Sequence, residues 1–299
     1  MLPPPLTDLF ATIQAVGIEK IFLLLMAPVF IVCMAAEYLV LQRRRQQTYS
    51  LHETGTNVVL ALSHAAADGL AWSLLIGLFY WVYQHRVFDM PFNGWTVLLL
   101  VLLQDFFYYW FHRGSHRIRW MWASHVTHHS SERMNLSTAL RQSLTYPLSG
   151  MWAFWLPLAW LGFKPEQVIL VVAVNLGYQF FVHTEVVKRL PRWFEAVFNT
   201  PSHHRVHHAR NPQYIDRNYA GVLVIWDKLF GSFVAEEAPC DYGITRQIHT
   251  RNPLVMMFHE WRDMLADVGR PGPLRQRLRH LWAPPEWVRP AGTSHTPKL

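Results

Sequence analysis

Apolar residues run almost unbroken from Ile18 to Leu41, from Val58 to Tyr83 and from Trp95 to Phe111. Each run is close to or above the roughly 20 residues an α-helix needs to cross a bilayer, so the pattern predicts three spanning helices. Two further apolar stretches, Tyr146 to Leu161 and Val168 to Val182, flank the turn "GFKPEQ" and predict a second hairpin, five spans in all. The start "MLPPPLTDLF" has no basic residue ahead of its apolar stretch, so the first run is expected to be a retained helix and not a cleaved signal. From about Pro191 the long runs give way to short helices and loops, and beyond Gly269 the chain is rich in Pro and Arg with little periodicity. The expected fold is all-α: an integral membrane region over 1–190, a cytoplasmic helical cap over 191–269 and a tail over 270–299.

Charge changes this picture in one respect, by giving the bundle an orientation. Arg43, Arg44 and Arg45 close the first run, Arg113, Arg117 and Arg119 follow the third, and Lys188, Arg189 and Arg192 follow the fifth, while the opposite turns are nearly balanced. By the positive-inside rule these three ends face the cytoplasm. The low lysine content, five of the 27 basic residues, hints at a bacterial source and an inner-membrane location, or the endoplasmic reticulum if the source is eukaryotic. A net charge of +7 is spread between apolar runs with no basic helix or nucleic-acid motif, which argues for a membrane surface and against nucleic acid. Two cysteines, Cys33 and Cys240, cannot build a thiolate cluster, so any metal must be held by nitrogen and oxygen.

Ten of the 17 histidines fall in two windows, His112, His116, His125, His128 and His129, then His183, His203, His204, His207 and His208. One HxxHH triplet is expected by chance about 0.05 times in a chain of this composition, and here there are two, "HVTHH" and "HRVHH". Residues three and four apart share a helix face, so each triplet turns its imidazoles toward one side. Asp105 lies two turns before His112 on the same stripe, and an acid inside an apolar span is by default a functional candidate. Tyr108, Tyr109 and Trp110 beside it read as packing. The other seven histidines, His52, His64, His85, His249, His259, His280 and His295, are isolated and read as surface or hydrogen-bonded side chains.

Clustered imidazoles without a cation strand donors and acceptors or accumulate charge, so the two windows point to metal. Eight to ten nitrogens exceed what one catalytic zinc uses, and two metals fit the count. Imidazole suits zinc, copper, iron and nickel alike; iron is favoured by chemistry, because a site at a membrane surface is placed to activate O₂ against a lipid C–H bond. Heme ligation would use single histidines deep within two helices, and metal transport would need a polar path through several spans, of which Glu37, Asp68 and Asp105 offer little.

The words around the histidines carry more. The segments "DFFYYWFHRGSH", "MWASHVTHHSSERMNLSTALRQS", "YQFFVHTEV", "NTPSHHRVHHARN" and "IDRNYAGVLVIWDKLFGSF" resemble the fatty acid hydroxylase and sterol desaturase superfamily of membrane non-heme di-iron enzymes. The resemblance covers about Asp105 to Phe233, within a domain of about 98–235, and is closest to the branch that cleaves glyceryl ethers with tetrahydrobiopterin and O₂. It implies that His112, His116, His125, His128, His129, His204, His207 and His208 bind two Fe ions, with His183 and His203 as further ligands or close supports. It also implies a lipid substrate, and a reduced pterin, a ferredoxin or a cytochrome as electron donor. Asp105 and Glu132 are the next catalytic candidates, Glu132 having an alternative as a helix-capping carboxylate. Asn135, Arg141, Gln142 and Glu185 are candidate polar contacts to a cofactor or head group, and Asp216, Asn218 and Tyr219 candidate supports of the second triplet. The animal enzymes of that branch continue with further hydrophobic segments where this chain has its tail.

Overall fold

The computed structural model describes residues 18–45 and 49–290, so the expectation for "MLPPPLTDLF" falls outside it, as does the end of the tail. The described residues form helices, 3-10 turns and two isolated bridges, Phe198 to Leu223 and Ala209 to Tyr242, and no strand. Three helices are long and apolar enough to cross a membrane: α1 (Ile18–Arg43), α2 (Leu51–Gln84) and α3 (Gly94–Arg117). Ser50 caps α2, its hydroxyl accepting from the Glu53 N–H. Asn93 caps α3 in a reciprocal box with Thr96.

α2 begins seven residues earlier than its apolar run. The polar turns "LHETGTN" are helical because they pack against residues 131–137, with Asn57 donating to Ser137 (3.3 Å) and Ser131 donating to Glu53 (2.5 Å). The second hairpin departs further from expectation. Instead of one uninterrupted helix, Tyr146 to Leu161 forms α5 (Tyr146–Ser149), a 3-10 turn (Met151–Phe154) and α6 (Leu156–Leu161). Pro147 and Pro157 remove backbone donors, and Gly150 sits at φ 82°, which breaks the helix twice. The return helix α7 (Pro165–Phe180) has 16 residues, about 24 Å. Its apex nonetheless meets the far ends of α2 and α3: the Val87 N–H donates to the Trp160 carbonyl (2.8 Å), and Tyr80 donates to Glu166. Gly162, at φ 114°, lies so close to the Phe88 carbonyl that a Cβ would fall 2.1 Å from it.

The core between these helices gathers Phe79, Leu100, Tyr108, Phe111, Trp155, Leu158, Phe163 and Val168. α1 joins through Phe30, stacked on Phe180 at 4.0 Å, and through buried Glu37, which accepts from Tyr49 (2.5 Å), the Leu136 N–H (2.7 Å) and Thr184. Above the bundle lie α4 (Arg119–His129), α8 (Arg192–Glu195), α9 (Pro201–His208), α10 (Ile225–Leu229), α11 (Pro253–Gly269) and α12 (Leu274–Trp282). α11 covers α4, with Ala123 packed on Trp261 and Met264, while Arg119 pairs with Glu260 (2.6 Å) and Asp267 (2.8 Å). α12 was not expected in a tail of little periodicity. Leu274, Leu278 and Leu281 recur at helical spacing there, and Leu281 packs into the α4–α11 contact.

Candidate metal centre

Ile118, extended at φ −122° and ψ 114°, separates α3 from α4 and turns the chain so that α4 faces the last turns of α3. His112 and His116 project from α3, and His125, His128 and His129 from α4. α9 starts at Pro201, where the missing N–H costs nothing, and brings His204, His207 and His208 against both. His183 arrives just past the end of α7.

The nitrogens converge as two groups. His112, His116, His125, His129 and His207 form one, His128, His183, His204 and His208 the other, with the ligand-type atoms of each group within 4.8 Å of one another. All nine rings are buried. The groups share a wall, where His129 stacks on His208 at 4.4 Å.

Outward-facing nitrogens fix the tautomers. Nδ1 of His112 lies 2.8 Å from the Tyr219 carbonyl, that of His128 3.2 Å from Arg141, that of His183 2.7 Å from Gln179 and that of His207 3.0 Å from Arg217. A carbonyl only accepts, so each Nδ1 carries the proton and each Nε2 turns a lone pair inward. His125 Nδ1 meets the Tyr146 hydroxyl at 2.5 Å. Inside, the Nε2 atoms of His128 and His183 face each other at 3.1 Å, two lone pairs with no proton between them. The Nε2 atoms of His116 and His207 are buried without a hydrogen-bond partner.

Burial, reinforced by the neighbouring imidazoles, holds His125, His128, His129, His204, His207 and His208 well below the usual histidine pKa, hence neutral at pH 7. Neutral rings with inward lone pairs are what a cation requires. Cis ligands at about 2.1 Å from one ion stand about 3.0 Å apart, the spacing of the His112–His125, His125–His129 and His204–His208 Nε2 pairs at 3.0, 3.0 and 3.1 Å. The residues fit a pair of metal ions. Five imidazoles exceed a tetrahedral zinc set and four exceed the three ligands of a catalytic zinc, and ring centroids 4.2 to 5.0 Å apart leave no slot for a heme plane.

The loop 216–224, with Asp227 on the helix α10 that follows it, buttresses the first group. Asp216 and Asn218 adopt left-handed φ of 59° and 55°, which Asp and Asn tolerate. Asn218 donates to the His203 and Val234 carbonyls, and Asp216 stands 3.7 Å from His116 Nδ1. Fully buried Asp227 accepts from the Tyr219 N–H (2.8 Å), the Ala220 N–H (2.8 Å) and Ser232 (2.7 Å), fixing the carbonyl that orients His112. Asp105 accepts from the Val222 and Leu223 N–H groups, Trp226 and Asn175 at 2.8 to 3.0 Å. It is the strut under this loop and touches no histidine. Gly221 permits the approach, since a Cβ there would meet Asp105, Asn175 and Tyr108 at 2.8 to 3.0 Å.

A cavity of about 620 Å³ opens onto the first group between α4, α9, α11 and residues 243–248. His116, His129, His207 and His208 reach it beside Trp122, Ile215, Arg210 and Glu260. Trp122 also packs its ring on His116 (5.2 Å) and His129 (5.7 Å).

Several expected residues sit elsewhere. His203 is outside both groups: it points at Phe233 (5.3 Å), and burial pushes its pKa down to about 4. Glu132 is exposed, 3.9 Å from Arg210, and aims at no ligand. Asn135 caps the 3-10 turn Leu136–Leu140 by accepting from Ser137. Arg141 is buried and donates to Thr127, Ser130 and Asn57, so its carbonyl, not its guanidinium, serves the site. Gln142 donates to the Ala139 carbonyl and lies 3.3 Å from His128 Nδ1. Glu185 accepts from Tyr242 at 3.0 Å. None of these last four lines the 620 Å³ cavity. Sequence reasoning passed over Tyr146, Gln179, Arg217 and Asp227, of which Gln179 and Arg217 act through a backbone carbonyl and leave no mark on residue type.

A polytopic helical bundle capped by two adjoining all-imidazole pockets is the architecture of a membrane metalloprotein. Residues 97–232 match the family model described as Fatty acid hydroxylase. Alkylglycerol monooxygenase of Homo sapiens is 49% identical over 62% of this chain and 42% of its own length. The Caenorhabditis elegans protein of the same name is 35% identical over 80% of this chain and 48% of its own. Ornithine lipid hydroxylase of Rhizobium tropici is 28% identical over 65% and 56%. The chain thus spans about half the length of the curated relatives it matches. No solved structure matches it.

Proposed function

We propose that this protein is a membrane-bound, O₂-dependent monooxygenase that oxidises a lipid C–H bond at two histidine-held irons, with alkylglycerols as its substrate class and a reduced pterin as its electron donor. The observation that carries the metal is the pair of inward Nε2 lone pairs of His128 and His183, 3.1 Å apart, among seven further buried imidazoles. The substrate class is supported by the identity to alkylglycerol monooxygenases through the histidine-bearing segments.

His112, His116, His125, His129 and His207 would hold one ion, and His128, His183, His204 and His208 the other; bound there, they supply the one-electron chemistry that O₂ activation needs. The chain's own part is positional. Backbone carbonyls of Arg141, Gln179, Arg217 and Tyr219 hold the Nδ1 protons and aim the rings. Phe111, Trp155 and Tyr108 exclude water on the bilayer side. Oxidation of the carbon beside an ether oxygen consumes O₂, two electrons and two protons. It yields water and a hemiacetal, which breaks to an aldehyde and glycerol.

In this reading the second hairpin crosses the bilayer as spans four and five. Its contacts with Val87 and Tyr80 at the far end support that depth, and the arginine-rich ends favour a centre on the cytoplasmic face, of the inner membrane in a bacterium. Purified protein is expected to contain about two non-heme irons and to release fatty aldehyde from an alkylglycerol with reduced pterin and O₂. A heme absorption band would overturn the metal assignment. Turnover of a fatty acyl or sterol substrate with ferredoxin, without aldehyde, would move the function to another branch of the family.

A further inference from the structure

The last two helices leave apolar side chains uncovered that the metal centre does not use. On α12, at about 100° per residue, Leu274, Leu278, Leu281 and Trp282 fall within one arc, with Arg277 on one flank and Arg275 and Arg279 on the other. Leu281 packs inward on Trp261 and Met264, while Leu274 is 64% and Trp282 54% exposed. The helix carries no carboxylate, and among the described residues none of its three arginines pairs with one: Arg277 donates to the Val268 carbonyl and Arg279 lies over the Trp287 ring. α11 repeats the apolar pattern, since Leu254, Phe258 and Leu265 share a narrow stripe and are 40 to 60% exposed. Trp261 borders that stripe and Leu281 the other, and the two lie in one cluster, so the stripes adjoin. Basic flanks around an apolar arc are the pattern of a helix that lies in a membrane surface.

What the two helices rest on sets their height. Met256 and Met257 of α11 pack on Leu60 of α2, 24 residues from the far end of that helix, about 36 Å along it. The hydrocarbon layer is about 30 Å thick and the bilayer with its headgroups about 40 to 45 Å, so Leu60 stands in the headgroup layer. Trp261 donates to Thr145 (3.0 Å), just before the second hairpin, and Trp120, edge-on to Trp261 at 4.7 Å, donates to the Leu148 carbonyl (2.9 Å). Leu148 is itself 63% exposed, so apolar surface continues from the hairpin toward α11. We infer that α11 and α12 seat on the leaflet nearest the metal centre, their apolar stripes sunk among the acyl chains and Arg275 and Arg279 set against acidic phospholipid headgroups. A twofold contact through the same face would bring two sets of unpaired arginines together, which disfavours a second copy as its occupant. The seat fixes one wall of the cavity on the histidines, because Val255, His259 and Glu260 of α11 and Pro285 and Glu286 beyond α12 line it. It requires that α1 to α3 span the bilayer and is independent of the reaction proposed above.

The full-length protein, with Cys33→Ala and Cys240→Ala, is spin-labelled at Leu278→Cys or, as an exposed control on the cap, at Asp241→Cys. Each is placed in nanodiscs of phosphatidylcholine alone or mixed with phosphatidylglycerol, and collision of the label with O₂, which dissolves in lipid, is compared with collision with a water-soluble nickel chelate. The label at 278 is expected to favour O₂ and the label at 241 nickel, with the contrast at 278 larger in the mixed discs. Two arginines near an anionic surface contribute about thirtyfold to binding. Arg275→Gln together with Arg279→Gln should therefore remove the lipid dependence and leave the melting temperature in detergent unchanged. A label at 278 that meets nickel as freely as the label at 241 overturns the inference, as does equal burial in the two lipids or a lipid dependence that survives loss of both arginines. Two chains per disc with 278 shielded whatever the lipid would give the face to a second copy and overturn it as well.

Discussion

Replacing Asp227 by Asn tests whether the metal centre depends on a carboxylate that touches no histidine. The side chain is fully buried, and its two oxygens accept from the Tyr219 and Ala220 N–H groups and from Ser232. An amide of the same shape offers one oxygen and one NH₂, so one backbone donor meets another donor. Losing a hydrogen bond to a charged group costs about 1.5 to 3 kcal/mol, and the stranded N–H adds about 1 to 3 kcal/mol. A destabilisation of about 3 kcal/mol lowers the melting temperature of a chain this size by about 5 to 10 °C. The Tyr219 carbonyl then no longer holds His112, and loss of such an outer contact weakens metal binding about 10- to 100-fold. The five-histidine group should therefore lose metal first, and iron per chain should fall toward half. Asp241→Asn, at an exposed carboxylate paired with Arg210, serves as the control. An Asp227→Asn protein that melts with wild type and keeps its full iron would refute the strut.

Three further outcomes follow from the same geometry. His203→Gln should keep the full metal content while His204→Gln loses it, because only His204 belongs to a nitrogen group; equal loss in elemental analysis would place His203 among the ligands. Glu132→Gln should change stability by less than about 0.5 kcal/mol and leave turnover intact, since the side chain is exposed; a large fall in kcat would restore it as a catalytic group. Metal-stripped protein should lose stability as pH falls below about 6.5: the buried histidines stay neutral when folded, so the unfolded chain binds more protons there and none in excess above it. A melting temperature flat from pH 8 to 5 would show that these rings are not held neutral by burial.

The three long helices and the two histidine windows were legible because each rests on a repeated local pattern, apolar run or 3–4 spacing. The second hairpin was legible in place but not in form, since Pro147, Gly150 and Pro157 break a stretch whose hydropathy alone looks continuous. The first turns of α2 were hidden for the opposite reason. Their residues are polar, and only contact with Ser131 and Ser137, some eighty positions away, makes them helical. Asp105 stood out by type and position yet supports a loop more than a hundred residues distant.

The recurrence of HxxHH has a geometric cause in the way each triplet divides. On a helix, residues four apart differ by about 40° in direction and residues three apart by about 60° the other way. His125 and His129 therefore lean to one side and His128 to the other, and the same division separates His204 and His208 from His207. The structure uses both leanings: His125 and His129 enter the first group and His128 the second, while His204 and His208 enter the second and His207 the first. Two facing triplets thus supply three nitrogens to each pocket, and neither pocket could be filled by one triplet alone. His112 and His116, again four apart, raise the first group to five, and His183 raises the second to four. The two nitrogen groups consequently draw on the same two helices, α4 and α9, so a shift of either helix moves imidazoles of both groups together.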